Sequence, residues 1–171
     1  YLIGGMPYES DEPGCLDNVW EHHLLLVFLG IKPMCLIDND MYPGFEDSIL
    51  DIMNELNQLK YCCEQYGMKK MQLNLATDTG CLYFWEQNRN NAILLYYYYH
   101  DKIKLPLYKD GALSQFAFDV FQGILLGYSY EDCIKFHHLM YDTDIKLLKP
   151  VFKTVSKFIQ SQFASIQSGD L

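Results

Sequence analysis

A chain of 171 residues that is half hydrophobic and only 20% charged can bury one substantial core, which excludes a disordered polypeptide and fits a single domain over residues 1–171. A net charge of -9 argues against general nucleic-acid binding, which needs a cationic surface. The longest apolar run, Leu24 to Leu29, is cut off by Gly30 and Lys32, so no transmembrane helix is expected.

In chain order, Tyr1 to Met6 reads as a short strand and Pro7 to Gly14 as an acidic loop. Asn18 with Glu21 three residues on is a capping box, which predicts a helix through Leu24, Leu25, Val27 and Phe28, stopped at Gly30. After Pro33, the run Met34-Cys35-Leu36-Ile37 predicts a buried strand that ends in Asp38 and Asp40. This strand is expected at the centre of the fold. A long amphipathic helix over Phe45 to Tyr66 follows, with Ile49, Ile52, Met53, Leu56 and Cys63 inward and Gly67 as its stop. Met71, Leu73 and Leu75 alternate with polar residues. Thr77 to Gly80 reads as a turn and Cys81 to Glu86 as the returning strand, so the pair predicts an antiparallel hairpin.

Asn90 to His100 favours helix through Ala92 to Leu95 and strand through Tyr96 to Tyr99. We take it as helix, capped by Asn90 or Asn91. Asp101 to Lys109 is a loop. Asp110 caps a helix with Leu113, Phe116, Ala117, Val120, Phe121, Ile124 and Leu125 on one side, and Gly127 stops it. Ser129 with Asp132 starts the next helix, and Thr143 or Asp144 the last, whose apolar face is Val151, Phe152, Val155, Phe158, Ile159 and Phe163. Pro150 either kinks this helix or sits in its first turn, and Ser165 to Leu171 is expected to fray. The fold class is therefore α+β: a small, mostly antiparallel sheet packed by a long central helix and a helical C-terminal third.

The charge is unevenly placed. Acids outnumber bases eleven to two in residues 1–60 and balance them eleven to eleven in residues 61–171, so the whole excess lies in the first third. Asp47 and Asp51 stand for this acidic surface as candidate contacts to a basic partner. Lys146, Lys149, Lys153 and Lys157 lie three or four apart and form a single basic stripe on the last helix. Lys149 and Lys153 are its candidate binding residues. The plain alternative for both surfaces is a solvated face. The stripe could bind a phosphate backbone, an anionic lipid surface, or the acidic third of its own chain or of a second copy.

Asp38 and Asp40, two apart, would point to one side of a continuing strand and could hold Mg²⁺ or Mn²⁺ for phosphoester hydrolysis. Otherwise no cofactor is implied. The plain reading is a polar strand end. His22-His23 and His137-His138 are adjacent pairs that cannot place both rings on one ion, and His137 reads as a satisfied core or boundary residue. The six cysteines form neither a zinc pattern nor a disulfide framework. Cys35 and Cys133 read as core fillers, and a reducing, intracellular setting is expected. The first residues carry no basic n-region, so no secretory leader is expected.

Trp85 and Tyr97 could line an aromatic pocket for a small ligand, or anchor a protein contact. Four consecutive tyrosines, Tyr96 to Tyr99, should leave one or two exposed unless a second layer covers them. Twelve Lys against the single Arg89, with many Tyr, Asn and Ile, suggests an AT-rich source such as a phage, a large DNA virus or an AT-rich bacterium. The leading expectation is a small acidic intracellular protein that acts by occupying a partner protein, such as a host protein in an infected cell. The alternatives are the Asp38/Asp40 metal hydrolase and the ligand-sequestering protein.

Overall fold

The computed structural model describes residues 19–38, 48–75, 79–141 and 143–169; the side chains of 19–22, 38, 48–53 and 139 also lie outside the description. The elements are α1 (Val19–Phe28), β1 (Met34–Asp38), α2 (Ser48–Gln65), β2 (Lys69–Asn74), β3 (Thr79–Phe84), a 3₁₀ turn (Glu86–Asn88), α3 (Arg89–Tyr99), α4 (Gly111–Leu125), α5 (Tyr130–Tyr141) and α6 (Ile145–Ser168). The fold is α+β. The expected first strand, the Asn18 cap and the turn before α2 fall outside the described residues.

The sheet is antiparallel with the order β1-β3-β2. The expectation that the Met34 strand is central is corrected. β3 lies in the middle, flanked by β1 and β2, because its alternate residues are apolar on both faces. Leu82 and Phe84 face one cluster and Tyr83 the other, and all three are buried. Thr79 and Gly80, expected in the turn, already pair with Asn74 and Leu73, and the strand ends at Phe84 because Glu86 opens the 3₁₀ turn.

The period of two along each strand sorts side chains into two cores. Met34, Leu82, Phe84 and Leu73 face the large cluster built with α3, α4, α5 and α6. Cys35, Ile37 and Tyr83 face a smaller cluster closed by Leu24 and Val27 of α1 and Leu56 and Cys63 of α2. Ile52 of α2, expected to face inward, has its side chain outside the description, whereas Phe121 of α4 is fully buried.

Local signals set the helix ends. The Asp110 carboxylate accepts from Ala112 N at 2.8 Å and that of Asp144 from Lys146 N at 2.9 Å. Ser129 and Asp132 bond reciprocally: Asp132 N donates to Ser129 Oγ and Ser129 N to Asp132 Oδ2. Gly127 takes a left-handed φ of 88°, and a Cβ there would stand 2.5 Å from Pro33 Cδ, so glycine serves both the turn and the approach of the α1–β1 loop.

Three expectations about helix ends change. α3 is a helix, but neither Asn90 nor Asn91 caps it. Asn88 holds the cap position, without a side-chain bond, and the Asn91 amide donates instead to Leu125 O of α4. α6 does not fray at Ser165 but runs to Ser168 and closes on a left-handed Gly169. Pro150 sits inside α6, one turn beyond the position where its missing N–H costs nothing. All four tyrosines of α3 are half-buried, because α4 supplies the second layer: Tyr98 stacks on Phe118 at 5.2 Å and Tyr99 meets the same ring edge-on at 6.3 Å.

Candidate functional site

The surface with the most distinct chemistry is the outer face of α6. At about 100° per residue, Leu148, Val151, Val155 and Ile159 gather on one side of the helix, and all four are buried. Lys146, Lys149, Lys153 and Lys157 gather on the opposite side, and all four are exposed. The helix carries no Asp or Glu between Ile145 and Ser168. The ion pairs of the described residues are Lys70–Glu64, Arg89–Glu86 and His137–Asp119, so none neutralises the stripe. The four ammonium groups line about 16 Å of helix axis at 1.5 Å per residue.

The end of α5 and the start of α6 form a corner that is clamped from inside. His137 is completely buried. Its Nδ1 lies 2.8 Å from Asp119 Oδ2, and Asp119 Oδ1 accepts from Gln115 Nε2 at 2.9 Å. With Nδ1–H donating to the carboxylate, Nε2 accepts the Thr143 hydroxyl at 3.3 Å. Phe116 and Tyr141 pack on the ring at 4.8 and 4.6 Å between centroids. Carboxylate, imidazole and hydroxyl stand here in the order of a nucleophilic triad. The imidazole has no exposed surface, so no substrate can reach Nε2, and the constellation acts as a clamp between α4, α5 and the turn before α6. Of the core or boundary position that its apolar helix suggested, His137 takes the core one.

Lys32, in the α1–β1 loop, carried no sequence signal. Its Nζ lies 3.0 Å from Nδ1 of the buried His23 and 3.8 Å from the centre of the Tyr128 ring. Burial pulls its pKa down to about 8, against the pull of Cys35 and Asp132. The ring face favours the cation and partly offsets this. Burial pushes the thiols of Cys35 and Cys133 up to about 12, which keeps both protonated and unreactive at neutral pH. Both are core fillers.

The remaining candidates are dispersed. The Trp85 indole N–H donates to Val27 O at 2.8 Å and its ring packs on Phe28 at 5.8 Å, so it ties α1 to the sheet in the smaller cluster. Tyr97 packs against the larger cluster, with the Lys102 ammonium 4.9 Å from its ring. The two aromatics pack against different clusters, on opposite faces of the sheet. Asp40 and Asp47 lie outside the described residues. Asp38 ends β1 and Asp51 sits in the first turn of α2, both with side chains outside the description. Among the described residues no group of three or more His, Cys, Asp and Glu could hold a metal ion. Among the described residues no helix is long and apolar enough to cross a membrane.

No family model, curated protein or solved structure matches this chain.

Proposed function

We propose that this protein acts by occupying a partner protein, and that it does so through the lysine face of α6. One observation carries the reading: four exposed lysines along one helix face, with no carboxylate in the helix and none of the four in an ion pair of the described residues, in a protein of net charge -9. A stripe that served only solubility would gain nothing from lysine in a chain already strongly charged.

The same charge balance selects the partner class. The four lysines contribute +4 to the total of -9, so the rest of the chain carries -13. An extended polyanion, such as a nucleic acid or an anionic bilayer, meets that surrounding negative charge as well as the stripe. A short acidic protein segment does not, because exposed charges are screened over about 8 Å at physiological ionic strength. A segment matched to the stripe spans about eleven residues as a helix or five as a strand. The free thiols of the described residues support a reducing compartment, and with it an intracellular partner, as part of this proposal.

The test uses a fluorescent octaglutamate peptide, a 20-base-pair DNA duplex and phosphatidylserine vesicles. The peptide is expected to bind, to weaken as salt rises, and to be lost with Lys149→Glu and Lys153→Glu. Unchanged peptide binding by that variant, or tighter binding of duplex or vesicles than of peptide, would overturn the reading.

A further inference from the structure

We infer that the α5–α6 corner is the apolar end of the same surface, so that the partner segment is acidic along its length and carries large apolar side chains at one end; this rests on the α6 reading above. Ten large hydrophobic side chains are exposed among the described residues, and four of them fall within eight consecutive positions: Met140, Tyr141, Ile145 and Leu147, each between 42% and 51% exposed. Scattered exposed apolar residues need no explanation, but a cluster at one corner does. The lysine stripe begins inside this cluster, since Lys146 stands between Ile145 and Leu147.

The corner is held ready. The Asp144 cap orders the first turn of α6. His138 Nδ1 donates to Thr143 O at 3.1 Å, and the buried His137 accepts the Thr143 hydroxyl. One face of the Tyr141 ring packs on His137 while 46% of the residue stays open. Apolar side chains on a fixed frame lose little conformational freedom when a ligand covers them, which favours binding.

The arrangement suits a peptide better than a bilayer. Ile145 and Leu147 lie about 100° to either side of Lys146 around the helix, so the lysines project furthest from the core. A planar surface would meet ammonium groups first and leave the apolar side chains on the flanks, the reverse of an interfacial anchor. A peptide can straddle the helix end, place apolar groups on both flanks and run its carboxylates along the stripe.

The test compares two labelled peptides, octaglutamate tipped with Leu-Phe-Leu and octaglutamate tipped with Ser-Ser-Ser. The apolar tip is expected to bind about tenfold more tightly. Ile145→Ser with Leu147→Ser should erase that difference and leave the Ser-tipped affinity unchanged. Tyr141→Ser gives a second variant at the same corner, and melting curves confirm that each variant folds. Equal affinity of the two peptides for the wild type would overturn this inference while leaving the α6 reading intact. Binding of neither peptide would overturn both. Binding of phosphatidylserine vesicles that the serine variant loses would overturn it in favour of a bilayer.

Discussion

His137 and Asp119 show how a single polar pair can be both costly and useful. His137 is removed from water and the Asp119 side chain nearly so, and each keeps a further partner, Thr143 for the imidazole and Gln115 for the carboxylate. Truncating one leaves the other with an unsatisfied buried group, so His137→Ala should cost about 2–3 kcal/mol in urea unfolding, beyond its lost packing. A loss within measurement error would mean that the clamp does not hold the corner. The buried thiols set a separate dependence on pH. Cys35 and Cys133 have folded values near 12 against an ordinary 9.0, and burial raises Tyr83 as well. A group raised in the folded state stabilises below its unfolded pKa, and that contribution is lost as pH climbs toward the folded one. Lys32 acts oppositely. With about 8 folded against 10.5 unfolded, it adds stability as pH rises through that window. The raised acids, which also include Cys63, Cys81, Tyr98 and Tyr141, outnumber the lowered bases Lys32 and Lys60, so the melting temperature should fall above about pH 9. The double variant Cys35→Ala, Cys133→Ala should flatten that fall, and an equally steep fall in the variant would sink the assignment.

At the scale of elements, α4 and α5 approach closely at one point. Gly123 is buried, and a Cβ built on it would stand 2.7 Å from Cys133 Sγ. Gly123→Ala should therefore destabilise by about 1–3 kcal/mol through overpacking, despite the better helix propensity of alanine. Adding Cys133→Ala removes the obstructing sulfur and should recover much of that loss in thermal unfolding. Additive losses in the double variant would show that the two positions do not meet. The same kind of close contact explains why α3 is helical although its tyrosine run suits a strand. Phe118 and Phe121 of α4 give Tyr98 an aromatic surface at 5.2 and 5.3 Å, and packing overrides the local preference.

Across the whole molecule, charge is segregated rather than mixed. The sequence places the acidic excess before Tyr61, and the structure leaves the lysines of α6 exposed and unpaired among the described residues. If these lysines serve binding rather than folding, Lys149→Ala with Lys153→Ala should change stability by no more than about 0.5 kcal/mol per site while weakening octaglutamate binding. A large loss of stability would mean that the stripe is neutralised within the chain, as it would be by its own acidic third.

What the sequence determined by itself is what local physics decides. The caps at Asp110, Ser129 and Asp144, the stop at Gly127, the hairpin of β2 and β3 and the apolar stripe of α6 all depend on residues a few positions apart. The lysine stripe was legible for the same reason, since helical spacing alone puts four side chains on one face. Strand order was not legible: β1 and β3 both read as apolar runs, and only their pairing shows that β3 takes the middle. Nor was the separation of Trp85 from Tyr97, twelve residues apart in sequence but on opposite sides of the sheet. The corner at Met140 to Leu147 and the clamp beneath it rest on Gln115, Asp119, His137 and Thr143, which come from α4, α5 and the turn before α6. Tertiary packing decided these features, because whether an apolar side chain is buried or left for a partner depends on what the rest of the chain lays over it.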